Sequence, residues 1–418
     1  MMSSLQPVRG THDLMGEPLK IHNYIIETAR NVSACYGFEE IATPIFEFTS
    51  VFQRTLGEAS DIVNKEMYTF EDRGGESLTL RPEGTAPIAR AFISEGLSRL
   101  TPLKLFYQGP MFRYERPQKG RTRQFHQLGV ELLGVGKPLA DIEILSLAHT
   151  LLEKLHLTNP ARLEINSIGD DQSRNAFRKA LVTYFEKFQN DLSEDSRKRL
   201  TTNPLRILDS KDKKDQELIT SAPQLENFLN AESQKFYDDV MDGLTKLSIP
   251  FHKNHKLVRG LDYYCHTVFE FKSDALGAQD AILSGGRYDK LISDMGGPQT
   301  PGVGFAAGIE RLILLSKSAP KQKSPVTVVP LGETAEKEAL KLSHQLRKEG
   351  FTIDMGYSGN LSKRMKRADK MNSKAALIMG DDEIQRGVVT WKDLKTGAQQ
   401  EIKITQLSSF LQQMTSDD

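Results

Sequence analysis

The pattern of apolar and polar positions predicts a strand, a loop and a second strand over residues 105–134. The first arm is apolar and aromatic up to Phe112, and the loop at 115–123 combines turn-forming residues with positive charge. The second arm alternates between polar and apolar side chains, as half-buried strands do. Its polar side consists of Gln127, Gly129 and Glu131. Because a Gln and a Glu lie on a strand that is otherwise apolar, we predict that this side faces a pocket.

Other periodic stretches predict helices and strands around this unit. Apolar residues at helical spacing predict helices at 17–36 and 139–156. The strand after the first helix contains Pro44, which removes a hydrogen-bond donor from the ladder. Thr85 is predicted to cap the helix that follows it, and residues 281–291 are predicted to form a strand, a double-glycine turn and a helix. Further strands are predicted at 67–70, 78–81 and 162–168, and one is predicted to end at Val258.

Residues 326–418 follow a different pattern, in which strands alternate with helices. Such alternation predicts a small α/β domain with a largely parallel sheet. The segment 319–325 is predicted to be the linker to this domain. Residues 1–318 would then form one larger domain, which is interrupted at about 170–247 by a charged helical module.

Composition and charge narrow the class of protein. The chain has 418 residues, of which 55 are Lys or Arg and 55 are Asp or Glu, so its formal net charge is zero. Any binding of nucleic acid must therefore depend on local basic patches. Cys35 and Cys265 are too few for a disulfide framework and lack metal-ligand spacing, which fits a reducing compartment. The sequence has no apolar signal core at its start and no bilayer-spanning run, so we expect a cytoplasmic protein without a membrane partner.

The predicted hairpin concentrates positive charge near its loop. Its basic residues are Arg113, Arg116, Lys119, Arg121 and Arg123. They could form a solvated tip or a site for phosphates, because a guanidinium group presents a planar fork of donors to anionic oxygens. The segment 112–115, followed by the basic loop and Phe125, resembles the second signature motif of class II aminoacyl-tRNA synthetases. The runs 115–121 and 123–127 resemble histidyl-tRNA synthetases in particular.

Three further stretches carry the same resemblance. The helix at 17–36 and the strand with Pro44 resemble the first class II motif, which forms a homodimer interface in the family. The loop 81–85 resembles the family's Arg-Pro-Glu-Gly-Thr loop, and the stretch 257–264 resembles a signature of histidyl-tRNA synthetases. The Arg and Asp on the turn at 259–262 are also compatible with an ordinary ion pair.

Residues 302–312 admit two interpretations. Their small residues match a relaxed dinucleotide-binding fingerprint, which requires a strand–helix–strand unit and an acidic residue about 20 positions further on. No Asp or Glu occurs between Glu310 and Glu333, so we reject this interpretation. The stretch instead resembles the third class II motif, in which small residues let ATP approach a strand and a helix.

The resemblance implies a fold and an activity. The expected fold class is α+β, a class II synthetase-like antiparallel sheet flanked by helices, with the inserted helical module and a C-terminal α/β domain like the family's anticodon-binding domain. The expected activity is ATP-dependent ligation of histidine to tRNA(His) through a histidyl-adenylate, with Mg²⁺, in a homodimer. A basic helix predicted at 361–371 is either a solvated face or a tRNA contact. A related non-catalytic class, which binds histidine and regulates a phosphoribosyltransferase, is disfavoured because Arg259 and the C-terminal domain are present.

The resemblance also implies roles for individual residues. Arg259 and Arg113 would be catalytic, as cations at the reacting carboxylate and phosphate. Glu131 would accept a hydrogen bond from one imidazole nitrogen of histidine, while Tyr264 serves the other. The residues expected to bind histidine are Glu83, Thr85, Gln127, Glu131, Tyr263, Tyr264 and Tyr288. Those expected to bind ATP are Arg113, Glu115, Arg121, Phe125 and Arg311, and those expected to contact the acceptor end of tRNA are Arg116 and Gln118.

Overall fold

The computed structural model describes residues 5–56, 62–118, 120–259, 261, 263–277, 280–317 and 324–416. By its internal contacts the chain divides into two units, Met1–Ala319 and Pro320–Asp418. Most of the predicted linker 319–325 lies outside the described residues, and the predicted domain limits remain predictions.

The first unit is built around a large sheet. Its strands are β1 (Glu39–Glu40), β2 (Phe46–Phe48), β3 (Tyr68–Glu71), β4 (Ser77–Leu80), β5 (Leu103–Phe112), β6 (Gln124–Leu133), β7 (Arg162–Ser167), β8 (Phe251–Lys253), β9 (Cys265–Lys272), β10 (Ala281–Arg287) and β11 (Gly302–Gly308). Eight of them form the order β1-β5-β6-β11-β10-β9-β7-β8. The outer pairs β1–β5 and β7–β8 are parallel, and the other neighbours are antiparallel. The predicted strand, loop and strand at 105–134 is confirmed as the hairpin β5–β6.

Helices cover one face of this sheet. The helices of the first unit are α1 (Glu17–Cys35), α2 (Thr49–Leu56), α3 (Thr85–Ser94), α4 (Pro138–Lys154), α5 (Asp171–Glu186), α6 (Glu194–Thr202), α7 (Lys213–Thr220), α8 (Ala231–Lys246), α9 (Leu291–Asp294) and α10 (Ile309–Leu315). Apolar side chains of α1, α4, α8 and α10 form one core with the sheet. Leu128, Val130 and Leu132 of β6 are buried in this core. The polar side of β6 therefore faces the other way, as its alternation predicts.

Two local predictions were wrong. Gly285 and Gly286 lie inside β10 rather than in a turn. A Cβ at Gly286 would lie 2.6 Å from a carbonyl oxygen of β9, and one at Gly285 would collide with the carbonyl oxygen of Gly304 on β11. Glycine is therefore needed at both positions so that the strands can approach one another. The strand predicted to end at Val258 ends earlier, at Lys253.

A three-stranded antiparallel sheet in the same unit turns its apolar side chains outwards. Its order is β2-β4-β3. The register places Phe46, Phe48, Tyr68, Phe70, Leu78 and Leu80 on one face, which we call the apolar face of the small sheet. Phe46, Phe48 and Phe70 are 48%, 55% and 46% exposed, whereas Glu47 and Thr79 on the opposite face are buried. This is the reverse of the usual arrangement, in which the apolar face of such a sheet packs on the core.

Four helices lie between β7 and β8, where the sequence predicts a helical module. These are α5 to α8, and they are joined by short 3₁₀ turns at Pro204–Asp209 and Leu225–Phe228. The helical content agrees with the prediction, while the limits of the module at about 170–247 remain a prediction.

The second unit is a five-stranded sheet with helices. Its strands are β12 (Val326–Leu331), β13 (Ile353–Met355), β14 (Ala375–Gly380), β15 (Val388–Asp393) and β16 (Gln399–Lys403), and its helices are α11 (Glu333–Lys348), α12 (Leu361–Lys370), α13 (Asp381–Gln385) and α14 (Leu407–Ser416). The sheet order is β13-β12-β14-β15-β16, with the first three strands parallel and the last two antiparallel to their neighbours. This is the alternating α/β pattern that the sequence predicts. Across the described part of both units, no helix has the length and apolar character needed to cross a membrane.

Candidate active site

A cavity of about 280 Å³ lies on the polar side of β6. It is lined by residues from the β5–β6 hairpin, the start of α3, the segment between β8 and β9, strands β9 to β11 and helix α10. The lining includes every residue predicted to bind histidine or ATP, and both arginines predicted to be catalytic. These are Glu83, Thr85, Arg113, Glu115, Arg121, Phe125, Gln127, Glu131, Arg259, Tyr263, Tyr264, Tyr288 and Arg311.

Glu83, rather than Thr85, caps the N-terminus of α3. The Glu83 carboxylate accepts hydrogen bonds from the backbone N–H groups of Thr85 at 2.8 Å and of Ala86 at 2.7 Å. The Thr85 hydroxyl instead donates to Glu131 on β6 at 2.7 Å, so the prediction that Thr85 caps this helix was wrong. Burial raises the pKa of Glu83, although its two N–H donors act in the opposite direction. A buried carboxylate is thus held rigidly at the wall of the cavity.

Glu131 is a second buried carboxylate of the lining, with only 1% of its surface exposed. It accepts hydrogen bonds from the hydroxyl groups of Thr85 and Tyr288. Burial raises its pKa to about 8, because the charged form loses its hydration. On the neighbouring strand, a Cβ at Gly304 would overlap this carboxylate. The small residue at 304 therefore makes room for a side chain of β6.

Three tyrosines stand beside Glu131. The ring centroid of Tyr263 lies 4.6 Å from that of Tyr264 and 5.7 Å from that of Tyr288. Burial raises the pKa of each phenol, so each remains a neutral donor and acceptor. In the same lining, the side-chain oxygen of Gln127 is buried and has no hydrogen-bond partner among the described residues. A buried unpaired acceptor of this kind indicates a position for a donor group of a ligand.

Arginines dominate the other end of the cavity. Arg113 donates to the carbonyl oxygen of Pro82 at 2.8 Å, and its guanidinium carbon lies 5.4 Å from the ring centroid of Phe125. Arg121 pairs with Glu115 at 2.7 Å. Burial lowers the pKa of Arg311, and the charge of Arg121 lowers it further. Because two like charges face each other there, an anionic ligand would be stabilised.

Arg259 lies where the two ends of the cavity meet. Its guanidinium carbon is 5.5 Å from the ring centroid of Tyr264, it pairs with Glu270, and it donates to the Ser284 hydroxyl at 3.0 Å. The Nε atom of Arg259 is buried and lacks a hydrogen-bond partner in the described part of the chain. The ion pair of Arg259 is thus with Glu270 on β9. Asp262, the Asp of the predicted turn, lies outside the described residues.

Two carboxylates of the lining, Glu270 and Glu310, were not predicted from the sequence. Glu270 lies between Phe269 and Phe271 on β9, so it is the polar position of an apolar strand. The argument that indicated Glu131 would have indicated Glu270 as well. Glu310 lies next to Arg311 at the start of α10, and no periodic signal distinguishes it from a solvent-facing residue.

Arg116 and Gln118, which are predicted to contact tRNA, do not line the cavity. Both are exposed in the loop between β5 and β6. The backbone of Gln118 pairs with that of Arg121 through N–H···O contacts of 3.1 and 2.8 Å. Lys119, a member of the predicted basic cluster, lies outside the described residues. The loop thus contributes Gly120, Arg121 and Thr122 to the lining of the cavity, while Arg116 and Gln118 are exposed beside it.

Comparisons with known proteins agree with this fold. Residues 10–312 match the family described as histidyl-tRNA synthetase, and residues 325–414 match the anticodon binding domain. Histidine–tRNA ligases from Rhodospirillum rubrum and Gluconacetobacter diazotrophicus are 54% and 51% identical to this chain, and both alignments cover 98% of it and 99% of the relative. A crystal structure of the Staphylococcus aureus histidyl-tRNA synthetase matches with a TM-score of 0.82 and 35% identity, over 97% of this chain and 99% of that one.

A synthetase-like catalytic unit followed by an anticodon-binding domain defines an aminoacyl-tRNA synthetase. The expected α+β fold class is thereby confirmed. The chain belongs to the histidyl-tRNA synthetase family. It is an enzyme that charges tRNA(His) with histidine, and the family uses ATP as a substrate.

Proposed function

We propose that the cavity on the polar side of β6 binds histidine at one end and ATP at the other, and joins them before transfer to tRNA(His). The histidine end consists of Glu83, Thr85, Gln127, Glu131, Tyr263, Tyr264 and Tyr288. The nucleotide end consists of Arg113, Glu115, Arg121, Phe125 and Arg311. The observation that carries this proposal is the continuity of one cavity from a buried carboxylate and tyrosine cluster to an arginine cluster, with Arg259 between them.

The histidine end offers partners for both polar parts of histidine. The Glu83 carboxylate, the Thr85 hydroxyl and the unpaired oxygen of Gln127 are suited to an ammonium group. Glu131 would accept from one imidazole nitrogen, and Tyr264 would serve the other. A substrate without these groups would leave buried polar atoms unpaired, which gives a discrimination of roughly 10⁴–10⁵ in sites of this kind.

Activation brings two anions together. An oxygen of the histidine carboxylate attacks the α-phosphorus of ATP, the bond to the β-phosphate breaks, and pyrophosphate leaves with its electron pair. Negative charge grows on the phosphoryl oxygens and on the leaving group, so fixed cations lower the barrier. Arg259 and Arg113 are the proposed catalytic cations, and Arg311 would hold the terminal phosphates.

Transfer uses the same cavity. A hydroxyl of the terminal ribose of tRNA attacks the carbonyl carbon of histidyl-adenylate, and AMP leaves. We assign Arg116 and Gln118 to the acceptor end of tRNA, because their loop adjoins the nucleotide end and is exposed. The basic helix α12 of the second unit is the corresponding candidate for a second tRNA contact.

Mg²⁺ belongs to this proposal as an ion that accompanies ATP. Among the described residues, no cluster of three or more His, Cys, Asp or Glu side chains could hold a metal by itself. Mg²⁺ often uses only one or two protein carboxylates and takes its other ligands from phosphates and water. Glu115 and Glu270 line the cavity beside the arginines, so these two residues fit such an ion. When bound, it would supply additional positive charge for the phosphates.

A homodimer is proposed through the apolar face of the small sheet. This face exposes three phenylalanines. Contiguous exposed apolar patches on a protein surface usually mark interaction sites. It follows the helix and strand that resemble the first class II motif, so a second copy of this chain is the expected partner. Phe48→Glu should convert the dimer to a monomer in sedimentation or light-scattering measurements, while Leu340→Glu, an exposed residue of the second unit, should not. A Phe48→Glu variant with the mass of the parent would rule out this interface.

Two finer expectations also stay proposals. A cytoplasmic location is supported by the absence of disulfides at Cys35 and Cys265, which are free cysteines. The domain limits 1–318 and 326–418 are supported by the compositional change at the segment 319–325.

The direct test of the proposed function is ATP–pyrophosphate exchange with each standard amino acid, followed by charging of purified tRNA. Exchange should depend on histidine, and charging should be limited to tRNA(His). Exchange supported equally by several amino acids would contradict the proposed histidine end.

A further inference from the structure

The Glu310 carboxylate accepts a backbone N–H group of β6 that has no neighbouring strand to pair with. Strand β11 ends at Gly308, which pairs with Gln127 of β6. Strand β6 extends three residues further, to Gln124, and on its other side these residues pair with β5. The next N–H group on the β11 side, that of His126, therefore has no strand opposite it. Both oxygens of the Glu310 carboxylate accept this N–H at 3.0 Å.

The same carboxylate fixes the side chain of His126. The Nδ1 atom of His126 lies 2.9 Å from Glu310, and its ring packs edge-to-face on His22 of α1 at a centroid distance of 4.8 Å. His22 is buried, and burial lowers its pKa, so the neutral ring is favoured beside a second imidazole. One carboxylate thus ties the free end of β6 to α10 and, through His126, to α1.

This arrangement matters because of what lies on either side of it. Phe125, the residue before His126, lines the cavity with Arg113 over its ring. Arg311, the residue after Glu310, lines the same cavity from α10. Both elements of the nucleotide end are therefore connected through the contact of Glu310 with His126.

We propose that Glu310 is a positioning residue for the nucleotide end, which keeps Phe125 and Arg311 at a fixed separation for ATP. This inference rests on the proposed assignment of that end to ATP. Although Glu310 lines the cavity, its two oxygens are already engaged by His126. A free carboxylate near a triphosphate would also repel it, whereas a carboxylate committed to two donors is partly neutralised.

Two variants separate positioning from direct contact with ATP. Glu310→Ala removes the acceptor, whereas Glu310→Gln keeps an oxygen that can accept the His126 N–H. We expect the KM for ATP in pyrophosphate exchange to rise about tenfold in Glu310→Ala, the size of one lost hydrogen bond to a charged acceptor, and less than about threefold in Glu310→Gln. The KM for histidine should stay close to that of the parent in both variants. Equal losses in Glu310→Ala and Glu310→Gln would overturn the positioning role.

Hydrogen exchange of the substrate-free protein provides a readout that does not depend on activity. The segment 124–128 should exchange faster in Glu310→Ala than in the parent, and close to the parental rate in Glu310→Gln. A matched control is Glu153→Ala, which removes a second Glu–His pair, to His149 on α4, that involves no strand end. If the amide hydrogens of 124–128 exchange in Glu310→Ala at the same rate as in the parent, the proposal is overturned even if the KM for ATP rises.

Phe125→Ala distinguishes failure of this inference from failure of the proposed function. If Phe125→Ala raises the KM for ATP and Glu310→Ala does not, the positioning role is wrong and the nucleotide end stands. If Phe125→Ala leaves the KM for ATP unchanged, the assignment of that end to ATP is wrong. His126→Ala keeps the backbone N–H, so it should have a smaller effect than Glu310→Ala on both measurements.

Discussion

The two ends of the cavity differ in the charge of their side chains: one has buried acidic groups and the other has arginines. At the histidine end, Glu83 and Glu131 are buried, and burial raises the pKa of both. At the nucleotide end, burial and a neighbouring cation lower the pKa of Arg311. In each case burial disfavours the charged form of the group. A cationic or donor-rich ligand at one end and an anionic ligand at the other would each relieve this cost.

This difference gives each end of the cavity a preference for a different kind of ligand. Carboxyl groups and phenols at one end suit a ligand that donates hydrogen bonds, whereas arginines at the other end suit an anionic ligand. Arg259 lies between the two ends, where it pairs with Glu270 and donates a hydrogen bond to Ser284. It is therefore placed where the carboxylate of one ligand would meet the phosphate of the other.

The largest effect is expected at this junction. Arg259→Ala should slow adenylate formation by roughly 10²–10³, as for loss of one preorganised donor at a developing negative charge. Arg259→Lys should recover part of the rate, since it keeps the charge but not the planar fork. The measurement is histidine-dependent ATP–pyrophosphate exchange. Parental exchange rates in Arg259→Ala would remove this residue from the chemistry.

A smaller and selective effect is expected at the histidine end. Glu131→Ala should raise the KM for histidine by roughly 10², because a buried donor of the substrate loses its acceptor, and should change the KM for ATP far less. Arg121→Ala, at the other end, should show the reverse selectivity. Equal changes in both Michaelis constants for either variant would mean that the two ends do not act separately.

The exposed side chain of Gln118 should affect neither end. Gln118→Ala should leave pyrophosphate exchange at the parental rate and slow transfer of histidine to tRNA roughly tenfold, the effect of one lost hydrogen bond. Transfer is measured by mixing preformed enzyme-bound adenylate with tRNA in a single turnover. If both steps slow alike, the assignment of Gln118 to tRNA is wrong.

The last prediction concerns stability and pH rather than catalysis. The pKa of Glu131 is raised from its ordinary 4.5 to about 8 in the folded chain. The protonated carboxyl therefore stabilises the fold fully below pH 4.5, and this contribution is lost as the pH rises through 8. Relative to Glu131→Gln, the parent should lose up to about 1.4 kcal/mol of unfolding free energy per pH unit within this window. Urea unfolding of the substrate-free proteins tests this, and a difference independent of pH would contradict it.

The sequence allowed the β5–β6 hairpin and its pocket-facing side to be predicted, because side-chain direction in a strand follows from a period of two. The same rule applied to β9 would have predicted Glu270. Sequence patterns also distinguished the α/β second unit from the first unit. These are local properties, and neighbouring residues are sufficient to determine them.

Other features were decided only by tertiary contacts. Thr85 has the side chain of a helix cap, yet Glu83 caps α3 because the Thr85 hydroxyl finds a buried acceptor on β6. Gly285 and Gly286 look like a turn, but they permit close strand pairing.

The role of Glu310 depends on where β11 stops relative to β6, and the outward direction of the apolar face of the small sheet depends on the opposite face, with Glu47 and Thr79, being buried. The sequence by itself thus determined which side chains share a face of each element. The tertiary structure decided which distant partner each of them meets, because those contacts join residues far apart in the chain.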